Sequence, residues 1–202
     1  MKNNTKKWHT IYHTRLSEIG YESDPAQLAV INEFARIEYE LANEKRRPAA
    51  KKAGLFSRFL AGAEPKPTTP TNKGLYLFGT VGRGKTFLLD LFCQHVVHSV
   101  IRLHFHHFMK NVHSRLKTIK DQQNPLALIA DDIAARYRIV CLDEFMVTDI
   151  TDAMLLYGLI KDLIDRDVVI ITTTNIPPDD LYKDGLQRAR FLPAIDLIKQ
   201  CL

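Results

Sequence analysis

The run Gly79-Thr80-Val81-Gly82-Arg83-Gly84-Lys85-Thr86 stands between the apolar Leu75-Tyr76-Leu77-Phe78 and the helix-like Phe87-Leu88-Leu89-Asp90-Leu91-Phe92. Its G-x-x-x-x-G-K-[ST] spacing is that of a phosphate-binding P-loop. Glycines let successive backbone N–H groups converge on phosphate oxygens, and the helix that follows adds the partial positive charge of its N-terminus. Gly79, Thr80, Val81, Gly82, Arg83 and Gly84 are read as the cradle. Lys85 then acts as a point charge on the β and γ phosphates, and the Thr86 hydroxyl takes a place on Mg²⁺. A plain glycine turn between strand and helix is the alternative.

A chain of 202 residues, 46% of them hydrophobic, is long enough for one α/β domain with an extension. The formal charge of +5 is unevenly placed: residues 1–73 hold thirteen Lys/Arg against eight Asp/Glu, whereas residues 74–202 hold fifteen of each. A neutral body with a basic arm suggests an acidic partner, a nucleic acid or an anionic membrane surface, with solubility as the plainer explanation. Cys93, Cys141 and Cys201 are widely spaced and set in apolar runs. They read as reduced thiols of a cytoplasmic protein, not as a disulfide framework or a zinc site. No apolar segment follows the basic start, and no run approaches ~18 apolar residues, so neither a secretory leader nor a membrane span is expected.

Three regions are expected. Residues 1–44 form a helical extension, in which Asp24-Pro25 opens a helix carrying Leu28, Ile31, Phe34, Ala35, Ile37 and Leu41 largely on one face. Residues 45–73 form a basic, Pro-rich linker. Within it, Leu55-Phe56-Ser57-Arg58-Phe59-Leu60 has the composition of a packing clip or of a peripheral membrane contact over 54–60. Residues 74–202 form the P-loop core. There, strands at 101–105, 139–142 and 168–174 alternate with helices at 107–120, 125–136 and 150–165, the pattern of a parallel sheet with helices on both faces.

Hydrolysis needs metal charge, an activated water and a contact to the γ-phosphate. Ile139-Val140-Cys141-Leu142-Asp143-Glu144 is an apolar strand ending in paired carboxylates, the Walker B pattern. Asp143 would hold the Mg²⁺ shell, and Glu144 would take or orient the attacking water's proton. Asn175, after the Val168–Thr174 strand, has the place of a γ-phosphate sensor or of a simple turn asparagine. Arg188 and Arg190 suit an arginine finger, because a guanidinium stays charged and meets phosphate oxygens bidentately. Standing alone they would be a solvated basic face. His104, His106, His107 and His113 invite a metal reading, with His104 and His106 on one strand face, but no acidic or thiol ligand completes the set. Hydrogen-bonded histidines or contacts to a substrate in a ring pore fit better.

These residues carry a family resemblance. The P-loop with its flanks, His104-Phe105-His106-His107-Phe108-Met109, Cys141-Leu142-Asp143-Glu144-Phe145 and Gln187-Arg188-Ala189-Arg190-Phe191-Leu192-Pro193 resemble the ZapE family of bacterial cell-division AAA+ ATPases. The likeness is dense over 74–202. It implies a P-loop NTPase of AAA+ type with strand order 5-1-4-3-2, truncated before its last core strand and lid. It also implies an ATPase using ATP and Mg²⁺ that remodels FtsZ or another division-ring protein, as a homo-oligomer when full length, in the cytoplasm at the division site. Weak activity is expected of so short a chain. Two alternatives stay open: a nucleic-acid-linked ATPase of helicase-loader type, the less favoured partner class, and a nucleotide-gated adaptor without hydrolysis.

Overall fold

The computed structural model describes residues 1–43, 74–119 and 122–202. The linker expected over 45–73, with its 54–60 segment, lies outside the described residues. Four strands form one parallel sheet: β1 (Leu75–Phe78), β2 (Val100–His104), β3 (Ile139–Asp143) and β4 (Val169–Thr174). Their spatial order is β1-β4-β3-β2, with Leu75 beside Ile171, Ile139 beside Val169 and His104 beside Asp143. All residues of β3 and β4 are buried, the polar Asp143 and Thr172, Thr173 and Thr174 at their C-terminal ends included, as in a parallel sheet covered on both faces. Pleating sends Ile139 and Cys141 to one face and Val140 and Leu142 to the other, and each pair joins a separate apolar core.

One core lies under α1 (Lys2–Ile19), α2 (Pro25–Asn43) and α3 (Lys85–His95); the other under α4 (Phe105–Thr118), α5 (Pro125–Arg136), α6 (Ile150–Ile164) and α7 (Arg188–Cys201). The helical extension is thus a pair of helices. Asp24 caps α2 by accepting from the Ala26 amide at 2.8 Å, with Pro25 at the first helical position. In α1 the buried residues Trp8, Tyr12 and Leu16 recur every four positions, and Gly20 ends the helix at φ 71°.

The pair packs on the helix that follows the P-loop. Trp8 is fully buried and stacks on Phe92 with ring centroids 5.5 Å apart, while Phe34 meets Phe92 at 4.6 Å. The buried carboxylate of Glu38 accepts from Lys7 Nζ at 2.7 Å, Trp8 Nε1 at 3.0 Å and the Val97 amide at 3.3 Å. One side chain therefore joins α1, α2 and the end of α3.

The boundary after β2 differs from expectation. The strand ends at His104, and Phe105 already belongs to α4. Phe105, Phe108, Met109 and Val112 are buried at helical spacing, so the helix period takes over one residue after the strand's last pair. His104 and His106 consequently do not share a strand face, although their rings stay 6.1 Å apart.

Candidate active site

Parallel strands bring their C-terminal ends to one edge of the sheet, where β1, β3 and β4 each supply a wall. After β1 the chain turns through left-handed backbone at Gly82 (φ 84°) and Gly84 (φ 78°), then enters α3 at Lys85. Residues 81–87 form one side of a cleft of about 590 Å³; Asp143, Glu144 and Met146 at and just after the end of β3, with residues 173–176 at and just after the end of β4, form the other. Val81, Gly82, Arg83 and Gly84 of the sequence-derived cradle are thus brought together with Lys85, Thr86, Asp143, Glu144 and Asn175, whereas Gly79 and Thr80 do not line the cleft.

Lys85 Nζ donates to Gly79 O at 2.7 Å, Thr80 O at 2.9 Å and Asn175 Oδ1 at 2.8 Å. One ammonium group therefore joins the P-loop to the end of β4. Desolvation lowers the Lys85 pKa from its ordinary value, against the pull of the Asp143 charge.

Asp143 is almost wholly buried. Burial by itself raises a carboxyl pKa, but hydrogen bonds from Thr173 and Arg102, the Arg102 charge and the Glu144 amide outweigh it and hold Asp143 below its ordinary range. Arg102 Nη2 lies 2.7 Å from Asp143 Oδ2, and its Nη1 lies 2.5 Å from Asp90 on α3. Thr173 Oγ1 donates to Asp143 Oδ1.

Glu144 has a positive φ of 55°, a conformation costly for a residue with a Cβ. It is fixed there by neighbours on β4: the Glu144 amide donates to Thr173 Oγ1 at 3.3 Å, and the Phe145 amide to Thr173 O at 2.7 Å. The Glu144 carboxylate is exposed, 3.4 Å from His104 Nδ1.

Arg102 and Thr173 were missed by the sequence reading. Arg102 had a signal, a lone cation inside an apolar strand; Thr173 had none beyond its place in a Thr-rich strand end. Neither Arg188 nor Arg190 lines the cleft of its own chain. Arg188 Nη2 is held by Asp179 O at 2.6 Å, whereas Arg190 is exposed and its guanidinium donates to Gln187 Oε1 at 3.0 Å. His113 Nε2 is 2.6 Å from Asp152 on α6. His106 lowers the pKa of His107. Among the described residues, no three His, Cys, Asp or Glu are placed to hold a metal ion.

The donors facing the cleft fit a nucleoside triphosphate with Mg²⁺. Thr86, Asp143 and Asn175 offer only hard oxygen ligands, which suit that ion, and a glycine-rich loop beside Lys85 suits phosphate. A P-loop after β1, paired carboxylates ending β3 and a polar residue closing β4, in the order β1-β4-β3-β2, define a P-loop protein of AAA+ type.

The family model of the AFG1-like ATPases matches residues 7–202, and the chain belongs to that family. The cell division protein ZapE of Escherichia coli (strain K12) is 47% identical over 193 residues, covering 94% of this chain and 51% of its own length. The chain spans about half the length of the curated relatives it matches. Two solved structures are similar in fold: DnaI, with a TM-score of 0.53, 17% identity and coverage of 88% of this chain and 82% of its own, and the DnaC helicase loader, with a TM-score of 0.51, 12% identity and coverage of 89% and 87%. Both likenesses bear on the fold alone. Among the described residues no helix is long and apolar enough to cross a membrane.

Proposed function

We propose that the cleft binds ATP with Mg²⁺ and hydrolyses it, and that a homo-oligomer uses the reaction to remodel a division-ring protein at the cytoplasmic division site. The observation that carries the reading is the single cleft in which Lys85 meets both the P-loop and Asn175 while Asp143 and Glu144 close the opposite wall. The similarity to a relative named as a cell division protein supports the cellular role, and the motif resemblance points to FtsZ polymers as the target.

Lys85 already directs its donors at three oxygens, and offers them instead to phosphate oxygens when nucleotide enters. Asn175, freed from Lys85, can orient the attacking water. Glu144 takes that water's proton on a carboxylate oxygen as the new P–O bond forms and the bond to the ADP oxygen breaks. Mg²⁺, when bound, supplies the charge that neutralises the phosphate oxygens. Thr86 and Asp143 would hold it.

Phosphate release measured across a range of protein concentrations tests the reading. Wild type should release phosphate faster than linearly with concentration, Glu144→Gln should release none, and FtsZ polymers should stimulate the wild type. Release unaffected by Glu144→Gln overturns the catalytic assignment, and polymers without effect overturn the partner.

A further inference from the structure

We propose that helices α1 and α2 are a working part of the nucleotide site, with Gln27 as a positioning residue that aims the Gly84 amide at phosphate. The inference rests on the nucleotide reading of the cleft. Gln27 Nε2 donates to Arg83 O at 3.2 Å, and Gln27 Oε1 accepts from Tyr12 Oη at 2.9 Å. The Tyr12 oxygen in turn accepts from the Asp24 amide at 3.2 Å. With its acceptor taken by the phenol, the Gln27 carboxamide can present only its NH₂ to the P-loop.

A trans peptide points its carbonyl and the next N–H in opposite directions. Holding Arg83 O toward α2 therefore turns the Gly84 N–H away from α2, and Gly84 lines the cleft. The approach is close: a Cβ on Gly84 would stand 2.6 Å from Gln27 Nε2. Asp24 adds a second hold, its carboxylate 3.4 Å from the Arg83 guanidinium.

Gln27 is not a loose surface side chain in this arrangement. Tyr12 is fully buried, and the pair of helices is fixed to α3 by Trp8 on Phe92 and by Glu38 on the Val97 amide. The P-loop is thus gripped at its crest by Gln27 while its helix is gripped from behind. Phosphate binding at Gly84 is felt by α2, and the set of α2 is felt at the phosphate.

The test is the affinity of this chain for a fluorescent ATP analogue with Mg²⁺, measured beside the melting temperature without nucleotide. Gln27→Ala should weaken binding about 3–10-fold, the value of one positioned hydrogen bond, with little change in melting. Gln27→Glu should weaken it at least as much, since a carboxylate cannot donate to Arg83 O. Tyr12→Phe should lose less. A Gln27→Ala variant that melts earlier but binds like wild type has lost only a structural contact and overturns the proposal. A wild type that binds no nucleotide overturns the nucleotide reading and this inference with it. Should Gln27→Ala not fold, amide exchange of the wild type decides: nucleotide should slow exchange over residues 24–30, and unchanged exchange there overturns the proposal.

Discussion

Glu144 combines the position of a general base with a backbone that disfavours it. A non-glycine residue in the left-handed region costs about 1–2 kcal/mol, and glycine's extra unfolded-state freedom offsets about 0.4–1 kcal/mol of any relief. Glu144→Gly should therefore stabilise the fold by roughly 0.5–1 kcal/mol in denaturant titration while phosphate release disappears. Asp143 makes the converse case. Its folded pKa lies below the ordinary carboxylate value, because hydrogen bonds and the Arg102 charge outweigh burial. Its contribution to stability is complete above about pH 4 and is lost as pH falls through the lower folded value. Arg102→Met removes part of that depression, so an acid titration followed by circular dichroism should show unfolding at higher pH than in wild type. At this scale the motif residues were legible because P-loop and Walker B chemistry fixes type and spacing together. Thr173 and Gln27 were not, because each acts through a partner tens of positions away, and Arg102 showed only as a lone cation in an apolar strand.

At the scale of elements, the helix at Pro25–Asn43 was legible from its Asp-Pro start and apolar stripe. The first helix was expected only as part of an extension, since its three buried residues are diluted by polar neighbours in sequence. Its attachment to α3 depends on the buried Glu38, which serves Lys7, Trp8 and Val97 at once. Glu38→Ala should cost about 2–3 kcal/mol, because the Trp8 and Val97 donors are left without their acceptor, and should lower the melting temperature measurably. The His104–Phe105 boundary shows how periodicity misleads at a junction: Ile101 to Phe105 alternates well enough for a strand, yet Phe105 is the first residue of the helical stripe.

At the scale of the molecule, the parallel sheet was legible from alternating apolar runs, whereas the relative order of its four strands came from the family resemblance. Which of Arg188 and Arg190 would serve a neighbouring copy in the proposed oligomer was not legible, because a trans contact leaves no trace in one chain's spacing. The structure separates the two: Arg188 is tied to Asp179, and Arg190 is exposed. A shared site predicts complementation. Glu144→Gln supplies an intact Arg190 but a dead cleft, and Arg190→Ala supplies an intact cleft, so mixing two weak variants should restore phosphate release above their sum. No restoration would assign Arg190 a role within its own chain.

The nucleotide held by the protein after incubation with ATP and Mg²⁺ separates binding from hydrolysis in one comparison. Wild type should be recovered with ADP and Glu144→Gln with ATP, at similar occupancy. ADP recovered equally from both would contradict Glu144 as the base that activates water in this cleft.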